Sequence, residues 1–407
     1  MKSIFSWYTV FFPYVLFLNV LSFGEDKLGL GTILFTLIML LLLVLSIIFS
    51  EKLTLNRNIF FGLISFLVIQ ALKIFTYNIG DIDFSLFIGY LGTWLFFIIN
   101  FVFSSIHLKN SLYKSVFIRR LSNSFLISSL IGIFHYYFFY SMPFMDPTYG
   151  SDEFGTIFNV ADYDLMRFRE SSIFFGPNVN AYMSVLGYLC IIFSLIEKGI
   201  GKVFKSPKYW LGTTIHIWNI VLSDSRSGFL ILILLTLFII NEKGMINYKL
   251  PALTKYIVFL ILLFSTVIYI NNQPRFNIES LIQDGRIVKI VAGIQILISN
   301  NLNILIGTPL NFKWILDDVS VSDNMYIALL LYVGIIGVII MGFTIINIFK
   351  KINSLINSTQ DLPYNLLAKY YLIMILLAGV FSIPIAMMPP MVYLGIILGG
   401  VKFNSRP

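Results

Sequence analysis

Five of the nine arginines in this chain, Arg167, Arg169, Arg226, Arg275 and Arg286, fall in polar segments between long apolar runs. A guanidinium is planar and permanently charged, and its fork of N–H donors fits the oxygens of a phosphate or carboxylate two at a time. Such groups can hold an anionic headgroup and stabilise the charge that grows on a departing diphosphate. Two carboxylates stand close by in sequence, Glu170 directly after Arg169 and Asp323 just before an apolar run, and either can take a proton from a hydroxyl. The stretch SDSRSG, residues 223–228, joins two apolar runs. Its Ser225 or Ser227 can cap a helix that starts there, and the free N–H groups and dipole of that helix end favour an anion beside Arg226. Arg286, after Asp284 and Gly285, opens a second helical pattern to which the same reasoning applies. Arg167 and Arg275 read as loop contacts. The competing reading for each arginine is an ion pair with a nearby acid.

The elements that must position these residues are membrane helices. With 407 residues, 58% hydrophobic, 12% charged and a mean hydropathy of +0.87, the chain lies far from soluble domains, whose charged fraction is about 25%. The expected fold is all-α, one polytopic integral membrane helix bundle over residues 1–407. Runs long enough to cross the hydrocarbon core, roughly 17 to 25 residues, lie near 4–23, 29–49, 58–77, 85–106, 123–142, 178–197, 209–223, 228–242, 253–270, 324–349, 366–383 and 385–401, about 12 transmembrane helices. The first is read as a retained helix, since no small-residue cleavage site follows it. Cys190, the only cysteine, lies inside an apolar run and reads as packing, so neither a disulfide framework nor a cysteine metal site is expected.

Lysine and arginine set the orientation. With the N-terminus inside, 19 of the 28 basic residues fall in cytoplasmic loops and 16 of the 20 acids fall outside, which puts both termini in the cytoplasm. The net charge of +8 therefore belongs to topology and does not argue for nucleic acid. Of those 19 cytoplasmic basic residues four are arginine, against five of the nine outside. The outer side thus favours the forked cation. Two long loops are extracytoplasmic in this topology, 143–177 and 271–323, and long loops in compact proteins tend to carry function. The second loop holds an amphipathic helix: Ile287, Ile290, Val291, Ile294, Leu297 and Ile298 recur at helical spacing, with Lys289 three residues after Arg286. It is expected to lie on the outer face or dip into it. A thirteenth span is the competing reading.

Four stretches in this order resemble the O-antigen polymerase (Wzy) and O-antigen ligase superfamily of bacterial membrane glycosyltransferases. SDSRSGFL (223–230) resembles that superfamily's S-x-S-R-x-G segment, and RESSIFFGPNVNAYM (169–183) its upstream R-x-S-x-F…P-N-x-x-A segment. DGRIVKIVAGIQILISNNLNILIG (284–307) is similar to a G-R…A-x-x-x-I…G run in the large outer loop, and SDNMYIALLLYVGIIG (322–337) to an H-N-x-Y-L…G-x-x-G segment after it. The matched stretches cover roughly 180 residues of the second half of the chain. Where the ligases carry a histidine thought to act on the acceptor hydroxyl, this chain has Asp323 beside Asn324. None of its three histidines lies in the large outer loop, which favours a polymerase over a histidine-dependent ligase.

The resemblance implies an enzyme that joins polyprenyl-diphosphate-linked oligosaccharides on the outer side of the bacterial cytoplasmic membrane. Arg226 and Arg286, with Arg169 third, would stabilise the leaving diphosphate. Asp323, then Glu170, would be the base, Asp323 having the alternative or additional task of capping the helix that begins near Met325. Asn178, Asn180, Asn324, Tyr326 and Lys289 are substrate-binding candidates with Arg167, Arg169 and Arg275. No metal site or other cofactor is expected. The lipid bilayer, a chain-length regulator and a flippase are the implied partners. Lys73, in the outer half of its helix, could line the cavity or snorkel, and His135 reads as structural. The alternatives are an O-antigen-ligase-type glycan transferase and a lipid-linked glycan flippase or secondary transporter. Transporters place ionisable groups near mid-membrane and often show repeated halves.

Overall fold

A computed structural model describes residues 41, 44, 57–76, 84–108, 110–138, 153–155, 159–162, 167–170, 174, 177–196, 206–223, 225–241, 286–308, 324–358, 361–382, 384 and 387–402. The expected spans 4–23, 29–49 and 253–270 lie outside those residues, apart from Leu41 and Val44, which are helical. The remaining nine coincide with described helices: α1 (Arg57–Thr76), α2 (Phe84–His107), α3 (Ser111–Phe138), α4 (Pro177–Ile196), α5 (Pro207–Leu222), α6 (Arg226–Asn241), α9 (Met325–Asn357), α10 (Leu362–Phe381) and α11 (Met388–Gly399). Four of them, α3, α4, α9 and α10, are long and apolar enough to cross a membrane. Pro177 and Pro207 open α4 and α5, where a missing N–H costs the helix nothing.

One boundary moves far. The apolar run near 123–142 is the C-terminal part of α3, which begins at Ser111 and includes Lys114, Arg119 and Arg120. Those charges hide the first turns from a hydropathy reading. They fold as helix because Lys114 is buried against an acid, its Nζ 2.7 Å from Asp361 Oδ2, with Lys402 Nζ 3.4 Å from the same oxygen. This cluster ties the starts of α3 and α10 to the end of α11, at the end of the bundle that the charge pattern assigns to the cytoplasm.

At the centre is α4, whose residues from Asn180 to Phe193 are buried without interruption. A helix apolar all round is one that neighbours enclose, and here they are α3, α5, α6, α10 and α11. The closest pairing is α11 on α2 through Gly395 and Gly399. A Cβ at either would stand 2.4 Å from Phe97 O or 2.2 Å from Phe101 O. This is the small-xxx-small device that lets membrane helices approach backbone to backbone.

Within the expected large outer loop the chain forms α7 (Arg286–Ile298) and α8 (Asn301–Ile306), which pack along α9. Gly293 lies against Ile327 and Leu331, so α7 sits beside the first turns of α9. Among the described residues α7 has 13 residues and is about 20 Å long, against the roughly 30 Å of a hydrocarbon core. The chain departs from helix in the expected loop 143–177. Strands β1 (Glu153–Gly155), β2 (Asn159–Asp162) and β3 (Arg167–Glu170) form an antiparallel sheet in that order, with Asn159 opposite Glu170 and Asp162 opposite Arg167. The bundle itself is all-α as expected; strands this short, in a loop, carry little hydropathy signal.

Candidate functional site

The helix ends that carry Arg226, Asn178, Asn324 and Tyr326 meet at one end of the bundle. Helix α6 begins at Arg226, and Ser225 caps it, its Oγ accepting from the Gly228 N–H at 3.3 Å. The same hydroxyl donates to Asn178 Oδ1 at 3.1 Å, on the first turn of α4, and lies 3.2 Å from Ser227 Oγ. Gly228 is needed for this approach, since a Cβ there would fall 2.5 Å from that of Ala181. The SDSRSG stretch thus supplies a cap, a hydroxyl link to α4 and a glycine that closes the two helices together. Arg226 stands half-buried at that junction.

A chain of hydroxyls continues from it. Tyr182 Oη lies 3.0 Å from Ser227 Oγ and 2.7 Å from Ser382 Oγ, at the end of α10. The Ser382 carbonyl accepts from the Met325 N–H at 3.1 Å, which fixes the start of α9. Asn324 caps α9, its Oδ1 accepting from the N–H groups of Tyr326 at 3.0 Å and Ile327 at 3.3 Å, while its Nδ2 donates to Val380 O at 3.2 Å. The cap expected of Asp323 is therefore made by its neighbour. Tyr326 donates through its Oη to Leu376 O at 2.7 Å. Strand β3, which holds Arg167, Arg169 and Glu170, packs on α4 and α5. The starts of α4, α6 and α9 lie together at this end, and the positive ends of their helix dipoles favour an anion beside Arg226.

One expected contact lies in the core: Asn180 is wholly buried, accepting from Asn219 Nδ2 at 2.9 Å. It follows Asn178 by two residues, about 3 Å further along the helix, inside a closed polar layer. Asn219 Nδ2 also reaches Ser184 Oγ at 2.9 Å, and Ser129 Oγ is 2.9 Å from His216 Nδ1. His216 Nε2 faces Gly187 and has no hydrogen-bond partner among the described residues. Sequence reasoning passed over this layer. Its signal was there: Asn180 and Ser184 on α4, and His216 and Asn219 on α5, are polar residues at helical spacing within apolar runs.

The other expected residues are placed only in part. Arg286 is the first residue of α7 and Lys289 stands in its first turn, their side chains lying outside the described residues. Asp323 and Arg275 lie outside them entirely. His135 is buried near the end of α3. Lys73 is also buried, but it neither lines a cavity nor snorkels. Its Nζ donates to Thr308 O at 2.9 Å and to Tyr332 O, between α1, α8 and α9.

A scan against protein-family profiles found no match, and no curated protein matches the chain.

Proposed function

We propose that this chain is a membrane glycosyltransferase that polymerises polyprenyl-diphosphate-linked oligosaccharide repeat units into a surface polysaccharide, O-antigen, capsule or exopolysaccharide, and releases polyprenyl diphosphate. The observation that carries the reading is Arg226 at the capped start of α6, at the end of the bundle where α4, α6 and α9 begin. In the reaction a hydroxyl of the acceptor glycan attacks the anomeric carbon of the donor. The bond from that carbon to the diphosphate oxygen breaks, and the electron pair leaves on the diphosphate. Arg226, with Arg286 and Arg169, stabilises that charge. Asp323 takes the hydroxyl proton, with Glu170 as the second candidate. Asn178 and Tyr326, on the first turns of α4 and α9, fit the role of glycan contacts. The site then faces the outside of a bacterial cytoplasmic membrane, as the charge asymmetry of the loops suggests.

One observation favours a second reading. Helix α9 is broken at Gly334 beside the buried Lys73, and discontinuous helices with interior charges are features of transporters and flippases. The two readings separate in reconstituted vesicles supplied with a lipid-linked oligosaccharide. Polymerisation yields a ladder of lengthening glycans, whereas translocation yields transbilayer movement with no new glycosidic bond. Absence of any ladder from wild-type protein, with movement observed, would replace the first reading by the second.

A further inference from the structure

Helix α9 is interrupted nine residues after its first residue, Met325. Gly334 has φ 62 and ψ −172, which ends the helical run that begins at Met325. A backbone carbonyl just before such a break loses the N–H it would meet in an unbroken helix. Two such carbonyls are supplied with donors from elsewhere in the chain. Leu331 O accepts the Thr308 N–H at 2.7 Å and the Thr308 hydroxyl at 3.0 Å. Tyr332 O accepts from Lys73 Nζ, which also donates to Thr308 O at 2.9 Å.

The end of α8 enters the break at the same place. Gly307 has φ 87, and a Cβ there would stand 2.6 Å from Leu331 O; one at Gly334 would stand 2.3 Å from Leu305 O. Both glycines are required by backbone lying on backbone. Two helical segments, Met325–Val333 and Asn301–Ile306, therefore end side by side with their carbonyls converging. The C-terminal end of a helix carries partial negative charge, and a buried ammonium needs such compensation. Lys73, 1% exposed, stands where the two ends converge and bridges them.

We infer that Lys73 is a positioning residue: its ammonium clamps the α7–α8 hairpin into the break of α9 and so sets where Arg286 and Lys289 stand relative to the α6 junction. The functional half of this inference rests on the polymerase reading; the clamp itself does not. Among the described residues the hairpin packs chiefly on α9, and the ring of bonds at Lys73, Thr308, Leu331 and Tyr332 is the polar attachment that locks it there. With an apolar side chain at 73, Thr308 O and Tyr332 O would be left buried without the donor they now share, and the hairpin would gain by moving out to water.

The test uses full-length protein in lipid nanodiscs, in a Cys190→Ala background, with spin labels at Gln295→Cys on α7 and Phe138→Cys at the end of α3, both exposed positions. Wild type should give a single narrow distance. Lys73→Met should broaden it. Gly334→Ala, whose new methyl cannot coexist with Leu305 O, should broaden it in the same way, and it carries the test if the Lys73 variant is not recovered as a monodisperse protein. An unchanged narrow distance in the recovered variants overturns the clamp. Binding of undecaprenyl diphosphate reads the functional half. Misfolding lowers the amount of probe bound and leaves Kd alone, whereas a displaced α7 weakens Kd, by roughly tenfold if one charge-assisted bond is lost. A broadened distance with unchanged Kd would retain the clamp and overturn its link to the headgroup. Wild type that fails to bind the probe would count against the polymerase reading and leave the distance measurement to decide the clamp.

Discussion

Arg226 is placed by its neighbours more than by its own side chain. Ser225 caps the helix that Arg226 opens, Gly228 lets that helix close on Ala181, and Asn178 receives the Ser225 hydroxyl from the adjoining helix. Replacing Arg226 by alanine should lower polymerisation roughly 10²–10³-fold, the usual loss on removing one donor to a developing anion. Arg226→Lys should recover only part of it, because an ammonium lacks the planar fork. Initial rates with a lipid-linked oligosaccharide check both. Asn180 should behave differently. Asn180→Ala removes the acceptor of a buried Asn219 donor, which costs on the order of 1–3 kcal/mol. Its signature is a lower unfolding temperature in detergent with the KM for donor glycan unchanged, and a raised KM at full stability would restore it as a substrate contact.

At the scale of elements, close approach of helix backbones organises the bundle. The α2–α11 pairing depends on two glycines one turn apart, each facing a carbonyl of the opposite helix. Gly399→Val should force those helices apart and destabilise the protein by about 1–3 kcal/mol, as overpacking commonly does. Gly342, on α9, faces open space, where an added Cβ would meet nothing within 4 Å. Gly342→Ala should therefore leave the melting temperature no lower, a matched control on a helix glycine. At the opposite end of the bundle, Lys114 and Asp361 form an ion pair with both side chains nearly fully buried. Lys114→Met leaves Asp361, among the described residues, with the more exposed Lys402, and loss of a buried partner typically costs about 3–5 kcal/mol. The double change with Asp361→Leu should be milder than the sum of its parts, a difference that a double-mutant thermal-shift cycle reads directly.

For the whole molecule, orientation and assembly are separate matters. The excess of lysine and arginine in one set of loops assigns Ser299, after α7, to the outside and Asn357, at the end of α9, to the cytoplasm, and both are exposed. Single cysteines at those positions, in a Cys190→Ala background, should react with a membrane-impermeant maleimide on intact spheroplasts at 299 and not at 357. Labelling in the reverse sense would invert the topology and remove the outer face from the arginines.

Much of this architecture was legible in sequence because a run of apolar residues carries its own preference for the bilayer. That preference sums residue by residue and does not depend on which neighbours meet. The same local logic located the start of α6 at SDSRSG and the start of α7 at Arg286. It failed where energy depends on encounter. The first turns of α3 looked too charged for a buried helix until Asp361, some 250 residues away, met Lys114. Asn180 looked like a surface amide at a helix start until Asn219 met it in the core. Lys73 looked like a residue reaching for water, and only packing brings the broken end of α9 and the end of α8 to its ammonium. The sequence by itself determined that the chain folds as apolar helices and where several of them begin. The tertiary structure decided which polar groups are satisfied inside, because a buried donor or acceptor finds its partner across helices far apart in the chain.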